Sequence, residues 1–399
     1  MNKDVDFIPS GGVTSPRGFL AGATGAGIKY AGRLDLGILY SEVSCTTAAL
    51  FTTNKVKAAS VILDRERLKK NKVSAVVMNS GCANACTGEQ GMKDAVAVAG
   101  MAAEHVGVAK ENVLVASPGV IGTLLPMGRI REGIKKIDLS TTGGHDIARA
   151  IMTTDTVPKE VAVKAGGFII GGMTKGAGMI HPDLATLLCF LTTDAGVDAG
   201  FLEQSLREAA DISFNMVSVD GDNSTNDMVL IMANGKAGGE TITGDSPKAK
   251  VFKQALNEVC VYLARAIARD AEGANKLIEV NVRGAASLTD ARLAARTIVG
   301  SSLVKAAVHG SDPNWGRVLA AAGRSSAALE DNKLELCIGD TLLVKDGAPV
   351  PYDTREVVKH LDGKEVFIKL DLHLGSYGAT AWGCDLSEEY VKINAEYTT

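Results

Sequence analysis

Two segments in the C-terminal half of the chain alternate apolar and polar residues with a period of two. Ile278, Val280 and Val282 alternate with Glu279, Asn281 and Arg283. Val366, Ile368, Leu370, Leu372 and Leu374 alternate with Phe367, Lys369, Asp371 and His373. Successive strand side chains point to opposite faces, so this pattern covers one sheet face and leaves the other wet. A doubly wound parallel sheet, buried on both faces, would instead read as unbroken apolar runs. The pattern favours an α+β fold, a layered α/β sandwich with mixed and antiparallel sheets. Further strands are predicted over 73–78, 167–173, 187–192 and 228–233, and helices over 93–105, 201–212 and 248–268. In the last helix Phe252, Leu256, Val259, Leu263 and Ile267 recur at helical spacing and form one face. A polar, glycine-rich stretch at 235–247 marks a candidate domain boundary.

The 399 residues, 46% of them hydrophobic, are enough for one large α/β unit or two. The formal charge is −4 and no basic run stands out, which argues against nucleic acid as a partner. Seven scattered cysteines read as reduced thiols, not as a disulfide framework. No signal-peptide core and no apolar run of spanning length is present, so no membrane segment and a cytoplasmic location are expected.

The segment with most chemical promise begins at Lys175-Gly-Ala-Gly-Met179 and ends in the apolar run 187–192. Between them stands the small-residue pair Ala185-Thr186. If that bond is cut, the Thr186 hydroxyl lies beside a free α-amine, a nucleophile with its own base. A threonine heading a strand is also ordinary, since β-branched residues favour strands, and a turn lysine such as Lys175 is ordinarily solvated. Five other polar clusters, four of them glycine-bearing, lie at 116–122, 152–156, 219–227, 270–276 and 310–317. Each alone reads as a turn or a cap; together they suggest loops converging on a site. P-loop, G-x-S-x-G and H-E-x-x-H motifs are absent. Cys82-Ala-Asn-Ala-Cys86 has no second ligand pair and reads as a tight turn, so no metal site is expected. His181, the one histidine near Lys175, reads as a loop or capping residue.

At these residues the chain resembles the ornithine acetyltransferase (glutamate N-acetyltransferase) family of arginine biosynthesis, along essentially its whole length. The resemblance is carried by Gly11-Gly-Val13, Phe51-Thr-Thr-Asn54, Asn79-Ser-Gly-Cys-Ala-Asn84, the block at 171–179, Leu184-Ala-Thr186, Ser224-Thr-Asn-Asp227 and the cluster at 310–317. It implies a self-processed threonine-nucleophile architecture. Cleavage before Thr186 would give an α chain, 1–185, and a β chain, 186–399, assembled as two α and two β chains. Thr186 would be the nucleophile, with Thr153, Lys175, Thr186, Glu272, Asn394 and Thr399 as substrate contacts. The reaction implied moves acetyl from N²-acetylornithine to glutamate, with no cofactor and with acetyl-CoA as an optional second donor. Lys175 then has two available roles, pairing with a substrate carboxylate or polarising the site; Glu272 either holds the cationic end of ornithine or orients an amine.

The sequence departs from the family at one functional position. The family's oxyanion hole pairs a threonine hydroxyl with a glycine N–H, and here the matching residues are Pro118 and Gly119. Proline has neither a hydroxyl nor an N–H to donate. The neighbouring hydroxyl of Ser117, or an ordered water, is expected to take its place beside the Gly119 N–H. Asn275, where the family often has threonine, is a milder change. Two other readings are compatible with the same residues: a self-processed amidase or aminopeptidase, and a non-catalytic amino-acid-binding relative.

Overall fold

The structure is a computed structural model that describes residues 5–29, 31–70, 72–181 and 187–396. Among the described residues the larger sheet has nine strands. Near its middle, Leu188–Thr193 runs antiparallel to Phe168–Lys175 on one side and parallel to Met228–Ala233 on the other. Met228–Ala233 pairs in turn with one half of the 16-residue strand Leu36–Phe51, whose other half pairs with Phe19–Thr24 and Val73–Asn79. Every residue of Leu188–Thr193 and of Met228–Ala233 is buried. Both faces of these strands are covered, so they read in sequence as apolar runs without alternation.

The seven-stranded sheet has the single covered face that the alternation predicts. Ile278, Val280, Val282, Val366, Ile368 and Leu370 are buried, while Phe367 on the opposite face is 38% exposed. The two strands carrying them, Leu277–Ala285 and Glu365–Asp371, pair in parallel with Ile278 opposite Val366. The second strand stops short of the predicted 374. His373 takes a φ of +48°, which breaks the extended run, and its N–H donates to Asp371 Oδ1 at 3.0 Å.

The helix Ala249–Arg269 joins the layers, packing on Lys159–Ala165 and Phe168–Lys175 of the larger sheet and on Tyr377–Cys384 of the smaller. Phe252, Leu256, Val259, Leu263 and Ile267 are all fully buried along it. Each such side chain contributes about 1.5–3 kcal/mol of burial. The helix Ala199–Asp211 begins before its first large apolar residue because Asp198 caps it, accepting the Phe201 N–H at 3.0 Å.

The stretch 235–247 is not a domain boundary. Ile242 within it is buried and bridges to Val197. One continuous core runs from Leu191 and Ile231 in the larger sheet to Val280 and Leu370 in the smaller. The polar composition reflects a surface connection pinned at one apolar point. All seven cysteines are free, five of them buried. No helix among the described residues is long and apolar enough to cross a membrane, and none of their His, Cys, Asp and Glu side chains form a metal-binding group of three or more.

Candidate active site

One row of the larger sheet fixes the head of its central strand: Lys175, Leu188, Met228 and Phe51 stand opposite one another in turn. The Leu187 carbonyl accepts the Met228 N–H at 3.0 Å, extending the pairing by one residue. Ala185 and Thr186, and with them the expected cleavage point, lie outside the described residues, as does Thr399. The other six sequence candidates, Pro118, Gly119, Thr153, Lys175, Glu272 and Asn394, all line one cavity of about 120 Å³. This is below the ~300–1,000 Å³ of sites for drug-sized ligands and suits a small metabolite.

The turn after Lys175 explains its own composition. Gly176 N–H donates to Asp155 Oδ1 at 2.8 Å, and the Ala177 carbonyl accepts the Glu272 N–H at 2.9 Å. Gly178 has no side chain because Glu272 fills that space: a Cβ there would lie 2.3 Å from a carboxylate oxygen. Met179 turns the chain with a φ of +58°, and its N–H donates to Asp220 Oδ2 at 2.6 Å. The glycine-rich block thus seats a glutamate brought from 94 positions away in sequence beside the lysine that heads the block.

The Pro118–Gly119 wall is built by close backbone approach. Gly119 has a φ of +139°, and a Cβ would lie 2.3 Å from the Cys82 nitrogen, so glycine is required. Asn226 clamps this wall, its Nδ2 donating to the Ser117 carbonyl at 2.5 Å and the Ala83 carbonyl at 2.7 Å. Thr52 and Asn54 hold the loop that carries Asn226, donating to the Ser224 and Asn223 carbonyls at 2.8 and 3.0 Å. The expectation that Ser117 replaces the missing oxyanion donor is overturned. Ser117 is fully buried, and its hydroxyl donates to Asn79 Oδ1 at 2.8 Å instead of lining the cavity.

Asn394, on the helix Glu388–Glu396, donates to Glu272 Oε2 at 2.9 Å. Burial pushes the Asp220 carboxyl up, against the lowering effect of the Met179, Ile180 and Asp222 N–H groups, and the Glu272 charge adds to the rise. Burial, followed by the charges of Asp220 and Glu272, likewise pushes the Tyr390 hydroxyl well up. The Glu272 side is therefore acidic, while Lys175 brings positive charge to the same cavity. Such a site matches an amino acid bearing a carboxylate and a second, cationic amine.

Four of the five polar clusters reach this cavity, through Pro118 and Gly119, Thr153, Ser224 to Asn226, and Glu272. The cluster at 310–317 does not. It braces the 270–276 loop from behind, with Lys276 Nζ donating to the Val308 carbonyl and to Ser311 Oγ, each at 2.8 Å. Asn275 anchors that loop through its N–H to Asp385 Oδ1 at 2.8 Å. His181 does not line the cavity; its Nδ1 lies 3.4 Å from Ser218 Oγ. Cys82 is buried with its thiol donating to the Thr123 carbonyl, and Cys86 is exposed at a φ of +57°, which is the tight turn expected. Asp220 and Tyr390 were not singled out from sequence. They meet Glu272 from separate segments, and only Asp220 stood inside a noted cluster.

Residues 20–399 match the ArgJ family. The chain is 52% identical, over the whole of both sequences, to the arginine biosynthesis bifunctional protein ArgJ of Dehalococcoides mccartyi. It is 54% identical to the protein of the same name from Symbiobacterium thermophilum, over 98% of this chain and 99% of that one. Among solved structures it is similar to the arginine biosynthesis bifunctional protein ArgJ of Bacillus halodurans, at 44% identity and a TM-score of 0.51, over 52% of this chain and 97% of that chain. Matched along nearly its full length and at this identity, the chain belongs to the ArgJ family.

Proposed function

We propose that this chain is a glutamate N-acetyltransferase of arginine biosynthesis, moving acetyl from N²-acetyl-L-ornithine to L-glutamate through an acetyl ester on Thr186. The observation that carries this reading is the meeting of Thr153, Lys175, Glu272 and Asn394, from four separate segments, in one cavity of amino-acid scale. Lys175 stands opposite Leu188, so the cavity lies at the head of the strand that Thr186 precedes.

Self-cleavage of the Ala185–Thr186 bond gives chains 1–185 and 186–399 and frees the Thr186 α-amine. The hydroxyl passes its proton to that amine while Oγ attacks the acetamide carbon. The tetrahedral oxyanion forms beside Gly119, where a backbone N–H is the family's remaining donor once proline stands at 118. Collapse breaks the C–N bond, and the ornithine amine leaves with the proton. The glutamate amine then attacks the ester carbon, releasing N-acetylglutamate and restoring the threonine hydroxyl. Both substrates carry an α-carboxylate next to the reacting nitrogen, so a single Lys175 serves both half-reactions. Glu272, steadied by Asn394, receives the δ-ammonium of ornithine. The solved Bacillus halodurans polypeptide is about half as long as this chain, which favours the two-chain reading. The word bifunctional in its relatives' names favours acetyl-CoA as a second donor. A cytoplasmic assembly of two α and two β chains completes the proposal.

Intact-mass measurement tests it. The purified protein should resolve into two fragments splitting before Thr186, and Thr186→Ala should remain whole and inactive. A whole chain after prolonged incubation, still active in acetyl transfer, would remove Thr186 from the mechanism.

A further inference from the structure

We infer that the buried cluster Asp155–Lys159–Asp270 positions the cavity's cation, with Asp155 as a positioning residue for Lys175; this rests on the reading of Lys175 as a substrate contact. The Lys159 side chain is 1% exposed, and its Nζ lies 2.7 Å from Asp155 Oδ1 and 2.5 Å from Asp270 Oδ2. Lys159 stands opposite Thr174 in the sheet, one residue from Lys175. Asp155 is wholly buried, and its remaining bonds go to the cavity's own backbone. Oδ1 accepts the Gly176 N–H at 2.8 Å, directly after Lys175, and Oδ2 accepts the Thr153 N–H at 3.1 Å. Asp270 accepts the Thr156 N–H at 3.0 Å and begins the segment that delivers Glu272.

The charges explain why this is more than a brace. Two carboxylates share one ammonium, so the cluster carries one negative charge in excess. An unbalanced charge in a low-dielectric interior acts strongly on the next ion within reach. That ion is Lys175. Burial pushes the Asp155 carboxyl up, yet the Lys159 and Lys175 charges and the Gly176 N–H outweigh burial and hold it below the ordinary value. An apolar cluster of equal volume would hold the loops together as well. What the charged cluster adds is a fixed counter-charge that sets the place of the Lys175 ammonium.

A double-mutant cycle tests the inference, using wild type, Asp155→Asn, Lys175→Met and the double variant. Each is checked by mass for its two fragments and by thermal melting, and kcat and KM are measured with N²-acetylornithine and glutamate. Asp155→Asn should lower kcat/KM by about 10²-fold, the scale of an ångström-sized misplacement. It should change the same parameter, KM or kcat, that Lys175→Met changes. The double variant should lose less than the product of the two single losses. A purely structural role gives multiplied losses or no loss, and either overturns the inference. If Asp155→Asn stays uncleaved while Lys175→Met is cleaved, the cluster serves self-cleavage instead and the inference also fails. If Asp155→Asn does not fold, Asp155→Asn with Lys159→Met, which removes the pair together, takes its place in the cycle. An unaffected Lys175→Met enzyme would instead overturn the reading of Lys175 itself.

Discussion

Asn394 Nδ2 donates to Glu272 Oε2 at 2.9 Å, tying the C-terminal helix to the loop that leaves the helix Ala249–Arg269. The same carboxylate lies over Gly178, so three distant segments agree on its position. A hydrogen bond to a charged group is worth about 1.5–3 kcal/mol. Asn394→Ala should therefore lower kcat/KM for N²-acetylornithine by about 10- to 10²-fold. Asn394→Asp should cost more, because it faces Glu272 with a second carboxylate. Steady-state kinetics of both variants checks this, and equal activity in both would separate Asn394 from the site.

In the proposed mechanism proline at 118 leaves out one oxyanion donor, and the Ser117 hydroxyl, which donates to Asn79, does not replace it. Pro118→Thr should raise kcat, by up to the 10²–10³-fold of roughly one donor. Ser117→Ala should leave the ratio of kcat between Pro118→Thr and Pro118 unchanged. Turnover numbers for the four combinations decide it; a lower kcat in Pro118→Thr would show that another group already fills the hole.

Much of the fold was legible because its signals are local. Alternation at 278–283 and 366–370 marked the half-covered sheet, and the spacing from Phe252 to Ile267 marked the helix joining the layers. Boundaries were missed where a cap decides them, as at Asp198, or where one left-handed residue stops a strand, as at His373. The stretch 235–247 misled because composition does not reveal a single buried contact such as Ile242. Within the site, the residues themselves singled out Lys175 and the cluster at 270–276, while Glu272 and Asn394 as contacts came from the family resemblance. The partners that hold them did not stand out, since Lys159, Asp220 and Tyr390 act through contacts between separate segments, to which no sequence spacing corresponds.

Cleavage before Thr186 would not free the two products. On one side Leu188–Thr193 pairs over its whole length with Phe168–Lys175, and on the other Met228–Ala233 pairs with Leu36–Phe51. Strands from 1–185 thus flank strands from 186–399 within one sheet. The fragments should co-elute in size-exclusion chromatography under native conditions and separate only in denaturant. Separate native peaks would contradict the sheet order.

Asp155 also predicts an acid dependence. Its carboxyl is held below the ordinary value by Lys159 and Lys175 against the effect of burial. For a depressed carboxyl the stabilisation is present above the unfolded value of about 3.9 and is lost as pH falls through the lower folded value. Asp155→Asn should cost about 1.5–3 kcal/mol at neutral pH, the scale of hydrogen bonds to a charged group, because Asp270 still pairs with Lys159. Urea unfolding should show that gap narrowing as pH drops below about 4. A gap independent of pH would mean that Asp155 carries no charge in the folded protein.

The most direct measurement supplies the purified protein with N²-acetylornithine and glutamate and follows every product. Acetyl transfer predicts ornithine and N-acetylglutamate in equal amounts, no free acetate, and no products from Thr186→Ala. Acetate appearing with ornithine while glutamate stays unacetylated would contradict the account and make the chain a hydrolase.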